Sequence, residues 1–144
     1  VFNWLLRGIL PRLGYSGSHL SFLHVSDLAE AVYQWVIVNT SATTPFELCD
    51  GVAEGYSWKR LQEIGSSIRG NPVHLIGVPL PLLKLAADVS MLSHRIMRKE
   101  PMLTRSKVRE LTHNDWSASN SHISKYINWR PKVSVERALR ERLF

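Results

Sequence analysis

Short unbroken apolar runs alternate along the chain with stripes at helical spacing, and this alternation predicts an α/β fold. Residues 2–10 read as a helix stopped at Pro11, and a loop over 11–18 holding Gly14 and Gly17 leads into 20–25, a run short enough for a buried strand. Asp27 stands where a helix N-cap belongs. Glu30 completes a capping box, and Leu28, Val32, Trp35 and Val36 repeat at helical spacing. Residues 46–49 form a second strand candidate. Ser57 caps a helix with the stripe Leu61, Ile64 and Ile68, which Gly70, Asn71 and Pro72 end.

A third strand is expected at 73–78, then the longest helix, opened by Pro81 and expected to bury Leu82, Leu85, Ala86, Val89, Leu92 and Ile96. Thr104 caps the next helix, with Leu103 and Val108 placed as a hydrophobic staple. A short strand near Trp116, a helix over 119–127 and a last helix opened by Ser134 complete the pattern. The strands make a thin sheet for this length, so residues from outside the chain are expected to cover part of it.

Composition narrows the picture. At 144 residues and 44% hydrophobic content the chain can bury one core. It starts at Val1 and runs straight into apolar residues, and its last periodic stretch has no stop signal, so it reads as a cut from something longer. The net charge of +6 is spread over helices that also carry Glu110, Glu136 and Glu141, which argues for a solvated surface rather than a nucleic-acid partner. Cys49 is alone, which excludes a disulfide framework and suggests a reducing, cytoplasmic compartment. Residues 80–97 are interrupted by Lys84, Asp88, His94 and Arg95, so they make a poor spanning segment. A membrane surface is the less favoured reading for them.

Residues 21–29, SFLHVSDLA, tie a strand, a capping Asp and a helix in fixed register. Later come FELCDG at 46–51, the helix from Ser57, and SKYINWRP at 124–131. In that order these pieces resemble the C-terminal part of an extended short-chain dehydrogenase/reductase, the NAD-dependent epimerase/dehydratase family, whose closing signature is Lys-x-x-Leu-Gly-Trp-x-Pro. His24, Asp27, Trp129 and Pro131 occupy its structural positions. Asn128 stands for the usual Gly and is expected to take the left-handed turn in its place. The resemblance implies the C-terminal end of a Rossmann-like parallel sheet plus the small, mostly helical substrate-binding domain, spanning residues 1–144. The family's Gly-rich phosphate turn and Tyr-x-x-x-Lys pair are not in the sequence, and Tyr56-Ser57-Trp58-Lys59 has the wrong spacing. The cofactor, NAD or NADP, is therefore expected in a full-length parent and not on this chain. The missing Rossmann portion is the implied partner.

Sugar-nucleotide members clamp a diphosphate with one Arg before the His-Val strand and another in an Arg-x-Gly-Asp stretch. Leu20 and the stretch 111–115, LTHND, stand at those positions, so neither clamp is present. Residues 101–104, PMLT, resemble the Pro-x-Leu-Thr of hydroxysteroid dehydrogenase-like and dihydroflavonol reductase-like members. The expectation is a reductase or dehydrogenase of a small carbonyl or alcohol, inactive without its other portion. The alternatives are a nucleotide-sugar epimerase part or a non-catalytic binding module.

The family's cleft places Arg12, Tyr15, Arg95 and Arg98 as expected substrate contacts. His24 reads as a hydrogen-bonded strand residue, since no relay partner is placed for it, and Asp27 reads as a cap. His113 and Asp115 lack a third metal ligand at suitable spacing. Phe22, Leu23, Trp35 and Val36 would be left uncovered, so the isolated chain is expected to form a two-fold homodimer through the strand 20–25 and the helix that follows.

Overall fold

In the computed structural model, which describes residues 2–38, 44–97 and 104–144 (backbone alone for 92–97), helices and short strands alternate. Their order is α1 (Phe2–Leu6), β1 (Ile9–Leu13), β2 (His19–Leu20), α2 (Val25–Val38), β3 (Tyr56–Ser57), α3 (Trp58–Arg69), β4 (His74–Val78), α4 (Leu80–Met97), α5 (Arg105–Leu111), β5 (Asp115–Trp116) and α6 (Val135–Glu141). A 3-10 turn lies at Ile123–Lys125. The architecture is mixed α/β. β1 pairs in parallel with β4, and a second small sheet has the order β3-β2-β5.

Hydroxyl caps start three helices where the sequence places them. Ser57 accepts from the Arg60 amide at 3.1 Å, Thr104 from Lys107 at 3.1 Å and Ser134 from Arg137 at 3.2 Å. Gly70, at φ +68, closes α3. Leu103, the other half of the expected staple, lies outside the described residues.

The main core joins Leu5, Leu10, Tyr56, Trp58, Leu61, Ile64, Val73, Val135 and Leu139. Two smaller clusters gather Ala31, Ile123, Ile127 and Trp129, and Leu83, Ala87 and Val108.

Several local expectations are corrected. The helix over 2–10 is only one turn long. Gly8 at φ +92 breaks it, and the chain continues as β1, which has a single partner strand and so tolerates Pro11. The expected strand 20–25 keeps only His19–Leu20 in a ladder; the next residues are held by loops, with the Phe22 carbonyl accepting from the Asp50 amide at 2.8 Å. Residues 46–49 form no ladder strand. The Asn120 side chain takes a partner strand's place, accepting from the Cys49 amide at 2.8 Å and donating to the Cys49 carbonyl at 2.9 Å. The helix expected over 119–127 reduces to the 3-10 turn, and Asn128 does not take the left-handed conformation.

Asp27 is not a cap. Helix α2 begins at Val25, and the His24 carbonyl accepts the first-turn amides of Asp27 and Leu28. The Asp27 carboxylate instead accepts from the amides of Lys132 and Val133 at 3.0 and 2.9 Å, while Glu30 pairs with the Lys132 ammonium at 2.7 Å.

The apolar stripe of α4 faces the other way from expectation; on α2 Val36 is uncovered as expected, while Phe22, Leu23 and Trp35, expected to be uncovered with it, are partly buried against the cores. In α2 the buried residues are Asp27 and Ala31; Leu28, Val32 and Val36 are 42%, 54% and 69% exposed. In α4, Leu83 and Ala87 pack inward, while Leu82, Leu85 and Val89 are 56%, 60% and 58% exposed. In α4 the other side carries the apolar contact to Val108. No described helix is long and apolar enough to cross a membrane.

Candidate functional site

The two stretches that the sequence singles out separately lie side by side. β2 runs parallel to β5, with His19 opposite Asp115 and Leu20 opposite Trp116. The pairing is extended by the Ser21 amide donating to the Trp116 carbonyl at 3.0 Å and by the Ala118 amide donating to the Ser21 hydroxyl at 2.9 Å. The Trp116 indole donates to the Glu110 carbonyl at 3.1 Å, which holds the ring against the end of α5.

Beside this pairing is a cavity of about 360 Å³, walled by Leu13, Leu20, Phe22, Trp58, Leu111 and Trp116. That size falls within the roughly 300–1,000 Å³ of small-molecule sites. No Lys or Arg lines it; its ionisable wall residue is Glu110, paired with Lys107 at 2.5 Å. The Asp115 carboxyl is held below its usual value, chiefly by the Ser117 amide that donates to it at 2.9 Å, with lesser contributions from the Ser117 side chain, His19 and His113. The chemistry on offer is apolar enclosure with few polar contacts.

The expected substrate residues are not gathered there. Arg12 sits in β1 opposite Gly77, one residue before Leu13 and so on the other face of the strand. A Cβ at Gly77 would stand 3.1 Å from the Arg12 guanidinium, so the glycine makes room for it. The Arg12 Nε is buried and makes no hydrogen bond with a described residue. Tyr15 is 62% exposed in the turn after β1, where Gly14 abuts Thr112. Arg95 lies on α4 with its side chain outside the described residues, and Arg98 is wholly outside them. Leu13, Trp58 and Glu110 line the cavity with no signal in the sequence, because their share in it comes from long-range packing.

The Nε2 of His24 lies 2.9 Å from the Leu143 carbonyl and its Nδ1 lies 2.7 Å from the Ser26 hydroxyl. A carbonyl can only accept, so Nε2 carries the proton and Nδ1 accepts from Ser26. Since a carbonyl and not a carboxylate faces the other nitrogen, no nucleophilic relay results. Trp129 is 2% exposed, and Pro131 packs near Gly51. The His113 Nδ1 is engaged with the Asp115 carbonyl at 2.9 Å, and the described residues contain no cluster of three or more metal-binding side chains.

A second cavity, of about 250 Å³, is lined by Phe2, Phe22, His24, Asp50, Val135 and Phe144 among others. Asp50 at its wall accepts from the Tyr56 hydroxyl at 2.5 Å and the Val135 amide at 3.2 Å. Burial first, and then the hydrogen bond to Asp50, pushes the Tyr56 phenol well above its usual value. This network fastens the 50–57 loop to the start of α6, and a structural role accounts for it.

No family model and no curated protein matches the chain. Among solved structures it is similar to the crystal structure of gox2253, at 18% identity and a TM-score of 0.54. The match covers 99% of this chain and 40% of that one, so the chain spans about 40% of the length of the structure it resembles. At this identity the likeness concerns fold alone.

Proposed function

We propose that the chain is the substrate-binding portion of an NAD(P)-dependent reductase or dehydrogenase of the extended short-chain type, acting on a small, mostly apolar carbonyl or alcohol. On this reading it comprises the C-terminal end of a Rossmann-like sheet with its small helical domain. The cofactor and the proton-transferring residues belong to another portion.

The observation that carries the reading is the Leu20–Trp116 pairing beside a cavity without cations. Where sugar-nucleotide members place two guanidinium groups, this chain has Leu20 and the stretch 111–115, of which Leu20 and Leu111 line the cavity. Two charge-assisted contacts are together worth on the order of 3–6 kcal/mol, so their loss disfavours a diphosphate ligand strongly.

The test is calorimetric binding to the purified chain. The neutral ketone 2-acetylnaphthalene is expected to bind and uridine diphosphate is not, and Leu20→Arg weakens the ketone. The chain alone is expected to bind neither NAD nor NADP. Tight uridine diphosphate binding, or ketone binding indifferent to Leu20→Arg, would overturn the assignment.

A further inference from the structure

Helix α5 stands between two concave surfaces. Glu110 and Leu111 line the Leu20–Trp116 cavity, whereas Arg105, Val108, Arg109 and Thr112, together with Leu80 and Lys84 of α4, line a groove of about 420 Å³. That size also suits a small molecule. Val108 is 3% exposed and packs on Leu83 and Ala87, which fixes the two helices that form the walls.

Charge sets the groove apart from the cavity. Three cations line it, and the carboxylate that engages one of them is Asp88, which accepts from the Arg105 Nε at 2.7 Å and from its Nη2 at 2.8 Å. Asp88 lies one turn along α4 from Lys84, but this two-point bond commits it to Arg105. Lys84 and Arg109 are exposed and make no ion pair or side-chain hydrogen bond with a described residue. By contrast, Lys107, Arg137 and Arg140 are each paired with a glutamate of their own helix. The groove therefore keeps an excess of positive charge, and like charges gathered on one concave surface favour an anion between them.

We propose that this groove binds a small carboxylate carried on a short apolar body. The two carboxylate oxygens accept from the Arg109 guanidinium, as those of Asp88 do from Arg105, and the Lys84 ammonium adds charge from the facing helix. Leu80 and Val108 supply the apolar contact. A ligand held this way bridges α4 and α5. It occupies a different side of α5 from the Leu20–Trp116 cavity and does not depend on what that cavity binds.

Calorimetric titration of the purified chain with octanoate tests the proposal. Octanoate is expected to bind, less tightly as salt rises. Acetate keeps only the charge and octanol only the chain, so each binds roughly tenfold more weakly, or not at all. Lys84→Ala and Arg109→Ala each weaken octanoate by about fivefold or more, and Arg109→Lys recovers only part of the loss, because an ammonium lacks the planar fork. Lys107→Ala, on α5 but outside the groove, leaves binding unchanged. These three positions are exposed, and unchanged circular dichroism confirms that each variant folds. An excess of 2-acetylnaphthalene is expected to leave octanoate in place; displacement would put the carboxylate in the Leu20–Trp116 cavity and overturn the proposal. Absence of octanoate binding, equal binding of octanol, or binding by Lys84→Ala and Arg109→Ala like that of the wild type would overturn it as well.

Discussion

One carboxylate oxygen of Asp27 lies 2.9 Å from the backbone nitrogen of Val133, a residue 106 positions further along the chain. The same oxygen accepts from the Lys132 amide, and Asp27 is 2% exposed, so two main-chain donors of the closing segment depend on one buried carboxylate. Asp27→Ala leaves both without that partner and is expected to destabilise the chain by about 3 kcal/mol. Asp27→Asn keeps an acceptor oxygen and loses less. Urea unfolding measures both, and a loss for Ala below about 1 kcal/mol would mean that other contacts hold residues 132–133.

Asn120 stands in for a β-strand by bonding both the amide and the carbonyl of Cys49. Asn120→Ala removes two hydrogen bonds at a half-buried position and is expected to cost about 1–3 kcal/mol. Cys49 is 1% exposed, so its thiol should react slowly with a disulfide reagent in the native chain and markedly faster in the variant. Equal labelling rates would show that the 46–49 segment is held by its apolar contacts alone.

Tyr56 titrates above its unfolded value because burial and Asp50 oppose the phenolate. A raised folded value means that the neutral form is favoured by folding. The contribution to stability is complete below about pH 10, where unfolded tyrosine is neutral, and is lost as pH rises through the higher folded value. Stability should therefore fall more steeply above about pH 10 in the wild type than in Tyr56→Phe. Unfolding curves for the two proteins from neutral to alkaline pH that run parallel would contradict this.

The uncovered face of α2 should make the isolated chain self-associate. Val32 and Val36 are more than half exposed on a helix that buries only Asp27 and Ala31 among its described side chains. Sedimentation at micromolar concentration is expected to give a two-fold dimer, weakened by Val32→Ser with Val36→Ser. A monomer in the wild type would indicate that this face needs no cover.

What the sequence determined by itself was local. Ser57, Thr104 and Ser134 act on amides three residues away, and Gly70 closes the helix it follows, so these elements are legible from neighbouring letters. The alternation that predicts α/β likewise rests on spacing within each element. Leu20 and residues 111–115 could each be singled out, but their adjacency is a strand pairing across most of the chain, and only the tertiary structure places Trp116 beside Leu20 and closes a cavity with Leu13 and Trp58. The same holds for orientation. Periodicity states that a helix has an apolar stripe, and α4 has two candidates, Leu83 with Ala87 and Leu82 with Leu85 and Val89. Which one is buried depends on the neighbour that arrives, here Val108 of α5. Asp27 reads as a cap because its pattern fits one; its carboxylate serves amides that are distant in sequence, and hydrogen-bond partners of that separation are chosen by the fold and not by local propensity.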